Sequence, residues 1–240
     1  MILDAIDAVD WSAIPNPTSW PGDEPARVAD ALRRLTVSTT ANETGSAAAA
    51  LGDRGFTCGH AAMVFPAAYP ATAVLLDLVE HGRRPRIKDV ALSLVFDALC
   101  FSPLAGHNRV DTPYGTDVPL CCAIARQIRS RAGALLAHGI HGKHLLAQAA
   151  LHWRLAVEET EPQPDGTTTA LAVLEGEPFD TPAEAEVHTT EPAKTFPPVR
   201  IESLTADASG AAYVRLAHAP YGVLSPGCVL YDAECGNREH

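Results

Sequence analysis

The chain has 240 residues, of which 47% are apolar and 20% charged, so it can bury a core and is not disordered throughout. Its formal net charge of −11 is concentrated late: residues 1–160 carry 16 carboxylates against 14 Lys and Arg, and residues 161–240 carry 13 against 4. That field disfavours nucleic acid and suits a cationic protein. The opening Met1-Ile2-Leu3-Asp4 is acidic where a secretory segment would be basic, and no apolar run approaches the ~20 residues of a membrane span, so a cytoplasmic, membrane-free protein is expected.

In chain order, a Pro-rich opening holds Trp11 and Trp20, expected to cap the first helices as ordinary aromatic anchors. Asp23-Glu24 opens a helix to Leu35 with Val28, Ala31, Leu32 and Leu35 on its apolar face, and residues 45–51 form an Ala-rich helix. Pro70 suits the first turn of a helix over residues 71–80, with Val74, Leu75, Leu78 and Val79 inward and Gly82 as its stop. Ile87, Val90, Ala91, Leu94, Val95, Ala98 and Leu99 recur at helical spacing and predict a helix over 86–101. The link 81–85 is short, which makes these two helices an antiparallel pair.

A polar connector over 102–116 precedes a second expected pair, 117–137 and 143–158, hinged at Gly139-Ile140-His141-Gly142. His138, His141 and His144 are candidate metal ligands by their spacing, with His152 further along. No Asp, Glu or Cys lies near them in sequence, so a polar hinge with a core His152 is the competing reading. The six cysteines include no Cys-x-x-Cys, which speaks against a zinc knuckle; Cys100 and Cys121 fit helices as small apolar groups, and a Cys228–Cys235 bridge is disfavoured in the cytosol. Cys58-Gly59-His60 pairs a thiol with an imidazole, but adjacent residues rarely orient as nucleophile and base. The loops 52–55 and 106–109 do not follow a strand into a phosphate-binding turn.

After residue 160 the periodicity shifts towards 2. Runs at 168–174, 184–190, 199–206, 212–219 and 228–233 predict five short strands, interrupted by nearly half of the 19 prolines. The expected fold class is α+β: stacked antiparallel helix pairs over 1–160, and a β-rich acidic subdomain over 161–240 packed on them.

Between Arg154 and Lys194 there is no Lys or Arg, while ten carboxylates occur: Glu158, Glu159, Glu161, Asp165, Glu175, Glu177, Asp180, Glu184, Glu186 and Glu191. Such a run is either a solvated surface or the docking face for a positive partner. These ten are the candidate partner-binding residues.

The segments Val9-Asp10-Trp11-Ser12, Val28-Ala29-Asp30-Ala31-Leu32-Arg33-Arg34-Leu35 and Tyr69-Pro70-Ala71-Thr72-Ala73-Val74-Leu75-Leu76-Asp77-Leu78 resemble actinobacterial HEAT-like repeat proteins over residues 9–158. The resemblance implies an α-solenoid with a concave binding surface and no chemistry of its own. Some HEAT-like proteins serve as immunity proteins that block basic toxins or nucleases, and the acidic run suits that role. The expected function is therefore a non-enzymatic immunity or inhibitor protein with no cofactor. The alternatives are a HEAT-like DNA-alkylation glycosylase, for which the near-balanced first 160 residues lack a surplus of positive charge, and a His-based metal-dependent hydrolase or small-molecule binder.

Overall fold

A computed structural model describes residues 2–16, 18, 24–53, 55–189, 196–217 and 224–239. Helix α1 (Ile2–Asp7) leads to a single 3-10 turn in which Trp11 is buried and donates its indole N–H to the Ile6 carbonyl at 2.8 Å. Trp11 therefore anchors the opening segment to the helical core, as an aromatic cap should. Trp20 lies outside the described residues, as do Asp23 and Arg54.

Helices α2 (Pro25–Val37) and α3 (Ala41–Asp53) form an adjacent pair. Pro25 starts α2 where its missing N–H costs nothing, and a capping box starts α3: the Thr40 hydroxyl accepts from the Glu43 amide at 3.2 Å while the Glu43 carboxylate accepts from the Thr40 amide at 3.0 Å. A small sheet of β1 (Thr57–Cys58), β2 (Met63–Val64) and β3 (Ser102–Pro103) brackets helices α4 (Ala68–His81) and α5 (Pro85–Cys100). Gly82 caps α4 as expected, whereas α4 begins earlier than expected, at Ala68, and Pro85, expected in the link, is the first residue of α5.

The HEAT-like solenoid expectation is overturned here. In a solenoid each helix pair touches only its neighbours. Helix α4 is instead buried on several sides, through Ala68, Ala71, Thr72, Val74, Leu75, Leu76, Leu78 and Val79, and it packs against α1, α2, α5, α6 (Leu120–Ser130) and α7 (Ala132–Leu136). The leucine-rich pattern reflects a central helix enclosed by others, not a repeated stacking unit. Strands also interrupt the helices: the connector expected over 102–116 contains β3 and most of the hairpin β4 (Arg109–Thr112) and β5 (Gly115–Pro119).

The last expected helix is corrected as well. Helix α8 runs Gly139–Ala150, so the supposed hinge at 139–142 is its first turn, and the chain becomes strand β6 (Arg154–Pro162) after His152. Trp153, Leu155 and Val157 are buried at alternate positions, the period of a strand. The domain boundary expected at residue 160 thus falls within β6.

Beyond β6 come β7 (Thr168–Glu175), β8 (Ala183–His188), β9 (Val199–Ala206), β10 (Ala211–Ala217), β11 (Val229–Asp232) and a short helix α9 (Ala233–Asn237). The five expected strands are present at these positions, but they join β6 in a closed antiparallel barrel of order β10-β7-β6-β11-β8-β9. Closure leaves no open strand edge, and the described prolines of this part, Pro162, Pro164, Pro178, Pro182, Pro197, Pro198 and Pro226, sit at strand ends and in loops. The barrel interior is filled by Trp153, Leu155, Val157, Leu174, Val187, Ile201, Val214, Leu216 and Leu230, among others, with Phe179 stacked on Trp153 at 4.1 Å.

Candidate metal centre and acidic barrel face

Three remote segments meet where the barrel joins the helices. The β4–β5 hairpin delivers the chain into α6, whose first turn holds Cys121 and Cys122; the Leu120 amide donates to the Asn108 carbonyl at 2.8 Å and fixes that entry. His152 lies in the turn between α8 and β6, where Arg129 donates to the carbonyls of Ala149 (2.6 Å) and His152 (2.9 Å). Cys235 lies in α9, whose first turn is capped by Asp232 accepting from the Glu234 amide at 2.9 Å. The Asn108 side chain, buried, donates to the Gly236 carbonyl at 2.6 Å and ties α9 to the hairpin.

The ligand-type atoms of Cys121, Cys122, His152 and Cys235 all lie within 4.8 Å of one another, and they are the only such group of three or more among the described residues. His152 Nδ1 is 3.2 Å from Cys235 Sγ. The thiols are 2%, 3% and 6% exposed, too enclosed for a substrate to reach them. A nucleophilic role is therefore excluded on access. All six cysteines are free, and Cys228 is buried in the barrel core away from this cluster.

The thiols are not equivalent. Hydrogen bonds from Cys122 and Cys235, with a smaller contribution from His152, hold Cys121 below the usual thiol range against the effect of burial. The same interaction with Cys121 pushes Cys122 and Cys235 up. Both Cys121 and Cys122 stand in the first turn of α6, where the helix dipole favours a thiolate.

Sequence reasoning missed this cluster, because its ligands do not share a local motif. The available signal was the Cys121-Cys122 doublet two residues after Pro119, a helix-initiating position with two thiols in the first turn that follows.

The histidines singled out from the sequence are arranged differently. His138, His141 and His144 do line one cleft of about 630 Å³ with Asp89, Ser93 and Phe96. Their nitrogens do not converge to ligand distance: His138 Nε2 is engaged with the Val79 carbonyl at 3.2 Å, and the His144 ring packs on Phe96 with centroids 5.2 Å apart. Cys58 is half-buried at the end of β1 and His60 is exposed.

The acidic run does not form one face. Glu175 is turned towards α6, 2.8 Å from Arg154, 3.4 Å from Arg126 and 3.9 Å from Arg129. Glu186 is held by Arg109 through two bonds of 3.1 and 2.7 Å, and by His188 at 2.7 Å. Burial raises the Glu186 carboxyl, but the hydrogen bonds from His188 and Arg109, with their charges, outweigh it and leave the group below the ordinary range. Asp165 pairs with Arg215 at 2.6 Å, and Glu184 faces Arg200 at 3.7 Å. Glu191 lies outside the described residues.

The exposed remainder divides between the two ends of the barrel. Glu177 and Asp180 follow β7 near the Arg154 end of β6, whereas Glu158, Glu159 and Glu161 occupy the other half of β6. Beside the second group, Leu171, Val173 and Tyr213 are 47%, 36% and 50% exposed on the outer barrel wall. Register places Glu159, Leu171, Tyr213 and Thr205 side by side across β6, β7, β10 and β9. A shallow groove of about 340 Å³ runs there, rimmed by Glu158 and Asp207.

Comparison with protein-family models and with curated protein sequences finds no match to this chain. Among the described residues, no helix is long and apolar enough to cross a membrane.

Proposed function

We propose that the protein is a non-enzymatic, cytoplasmic binding module that occludes a basic protein, of the toxin or nuclease class, on the outer wall of its barrel. The observation that carries this reading is the exposed Leu171–Tyr213 pair beside Glu159. An aromatic and an aliphatic anchor flanked by carboxylates match a segment that presents an apolar side chain between Lys or Arg residues. The net charge of −11 adds steering towards such a partner.

The docking residues on this reading are Glu158, Glu159, Glu161, Leu171, Val173, Tyr213 and Asp207. Glu175 and Glu186 are committed to internal ion pairs and do not belong to the contact. Selection of random displayed peptides on the immobilised protein tests the assignment. Enriched sequences should carry Lys or Arg beside an aliphatic or aromatic residue, and Tyr213→Ala with Leu171→Ser should abolish enrichment. Enrichment of neutral peptides, or enrichment that survives both substitutions, would reject the barrel wall as the docking face.

A further inference from the structure

We infer that Cys121, Cys122, His152 and Cys235 form a closed structural zinc site that clasps the helical part of the chain to the barrel. Tetrahedral zinc with sulfur ligands at ~2.3 Å places those sulfurs about 3.8 Å apart. The four ligand atoms already lie within 4.8 Å of one another, so side-chain adjustments of less than about 1 Å complete the tetrahedron. Three thiolates and one imidazole constitute a donor set of structural zinc, and the low exposure of the three cysteines leaves no open position for a catalytic water. The same tightness leaves no room for the inorganic sulfides of an iron–sulfur cluster.

A purely apolar reading of the cluster leaves two observations unexplained. Among the described residues the His152 imidazole finds only sulfur partners, Cys235 Sγ at 3.2 Å from Nδ1 and the Cys121 thiol, and a thiol is a poor partner for a ring nitrogen. Thiols from α6 and α9, elements remote in sequence, also converge on that nitrogen where any small aliphatic group would fill the space. Metal ligation accounts for both.

The surroundings suit the resulting charge. Zn²⁺ displaces three thiol protons and binds the neutral imidazole, leaving a net single negative charge at the site. Arg109 and Arg129 lie within electrostatic reach of Cys122, and the first turn of α6 presents its positive end to the two adjacent thiolates. The anchoring of the ligands is also rigid: Arg129 holds the backbone of the His152 turn, and Asp232 caps the helix that carries Cys235. Because β6 follows His152 and β11 precedes Cys235, and these strands are paired, one ion would fix the seam of the barrel against α6. The metal site does not depend on what the barrel wall binds.

The full chain, purified without a histidine tag, should contain one zinc per molecule by elemental analysis. After chelation under reducing conditions, Co²⁺ should restore one equivalent with thiolate-to-cobalt charge-transfer bands and tetrahedral ligand-field bands, both displaced by Zn²⁺. His152→Ala and Cys235→Ser should weaken zinc binding at least 10-fold, consistent with loss of a ligand, whereas Cys58→Ser, Cys100→Ser and His141→Ala should leave stoichiometry and bands unchanged. If the Cys235→Ser variant does not fold, the cobalt spectrum of the unaltered chain still decides the matter. Three results would overturn the inference: a metal-free protein whose melting temperature ignores both zinc and chelator, a mass lighter by the two hydrogens of a disulfide, or cobalt bands without charge transfer that vanish in His141→Ala.

Discussion

Arg109 grips Glu186 with both guanidinium nitrogens, at 3.1 and 2.7 Å, joining the β4–β5 hairpin to barrel strand β8. The two side chains are 28% and 15% exposed, so the pair is partly desolvated and directional. Removing one partner strands the other charge at the junction. Glu186→Gln should therefore lower unfolding free energy by about 1–3 kcal/mol in urea titration, below the cost for a fully buried pair because some solvent remains.

The same pair sets an acid response. Glu186 has a lowered folded-state value, so its contribution is present above the ordinary carboxylate value and is lost as pH falls through the lower, folded one. Stability measured from neutral towards pH ~3 should decline more steeply in the unaltered protein than in Glu186→Gln. Parallel slopes would show that the carboxylate gains nothing from Arg109 and His188.

Glu175 should behave as a hub. It neutralises Arg126, Arg129 and Arg154, whose side chains are 32%, 18% and 12% exposed, and Arg126 also stacks over the Tyr114 ring at 3.9 Å. Glu175→Gln leaves three crowded cations without a counter-charge, and a loss of about 2–4 kcal/mol is expected by chemical denaturation. Charge reversal at Glu158, Glu159 and Glu161, on the solvent side of the wall, should change stability by less than ~0.5 kcal/mol.

Gly142 provides a test in which helix propensity and packing disagree. Alanine in a helix interior is ordinarily favoured over glycine by about 1 kcal/mol. Here a Cβ would collide with the backbone carbonyl of Leu135, which cannot swing aside as a side chain tip can. Gly142→Ala should destabilise the protein by about 1–3 kcal/mol, and a rise in melting temperature would show that α7 and α8 are further apart than described.

Glu43 should titrate far from an ordinary glutamate. Backbone hydrogen bonds from Thr39 and Thr40, aided by the Thr39 hydroxyl, hold its carboxyl at about 2. Side-chain NMR should place its midpoint there, and Thr39→Ala should move it upward by removing one hydroxyl donor.

Elements with a strong, uninterrupted period were legible in the sequence. The Ile87–Leu99 stripe marked α5, and alternation marked the strands from Thr168 onward. Strand β6 was hidden because Leu145, Ala149, His152, Trp153 and Ala156 continue a helical spacing past the point where α8 ends at Ala150. Closure of the barrel was also invisible, since the β6–β11 pairing joins positions far apart and depends on neither run alone. The solenoid expectation failed at α4, because a helix buried on several sides shares the spacing of one with a single apolar face. Of the candidate sites, the negative balance of the last third was plain, yet whether a carboxylate is paired, as Glu175 is, or left to solvent, as Glu159 is, depends on which arginines the fold brings near. The thiol cluster required Cys121, His152 and Cys235 to meet, which no spacing rule encodes.

The position of β11 between β6 and β8 has a further consequence for biosynthesis. Until residues 229–232 leave the ribosome, two neighbouring staves lack their shared partner and present unpaired amides and carbonyls to other nascent chains. The helices can settle while translation continues, but the barrel cannot seal until its last stave arrives. The interval between those events is when the chain is most exposed to aggregation, and when a chaperone would have most to do.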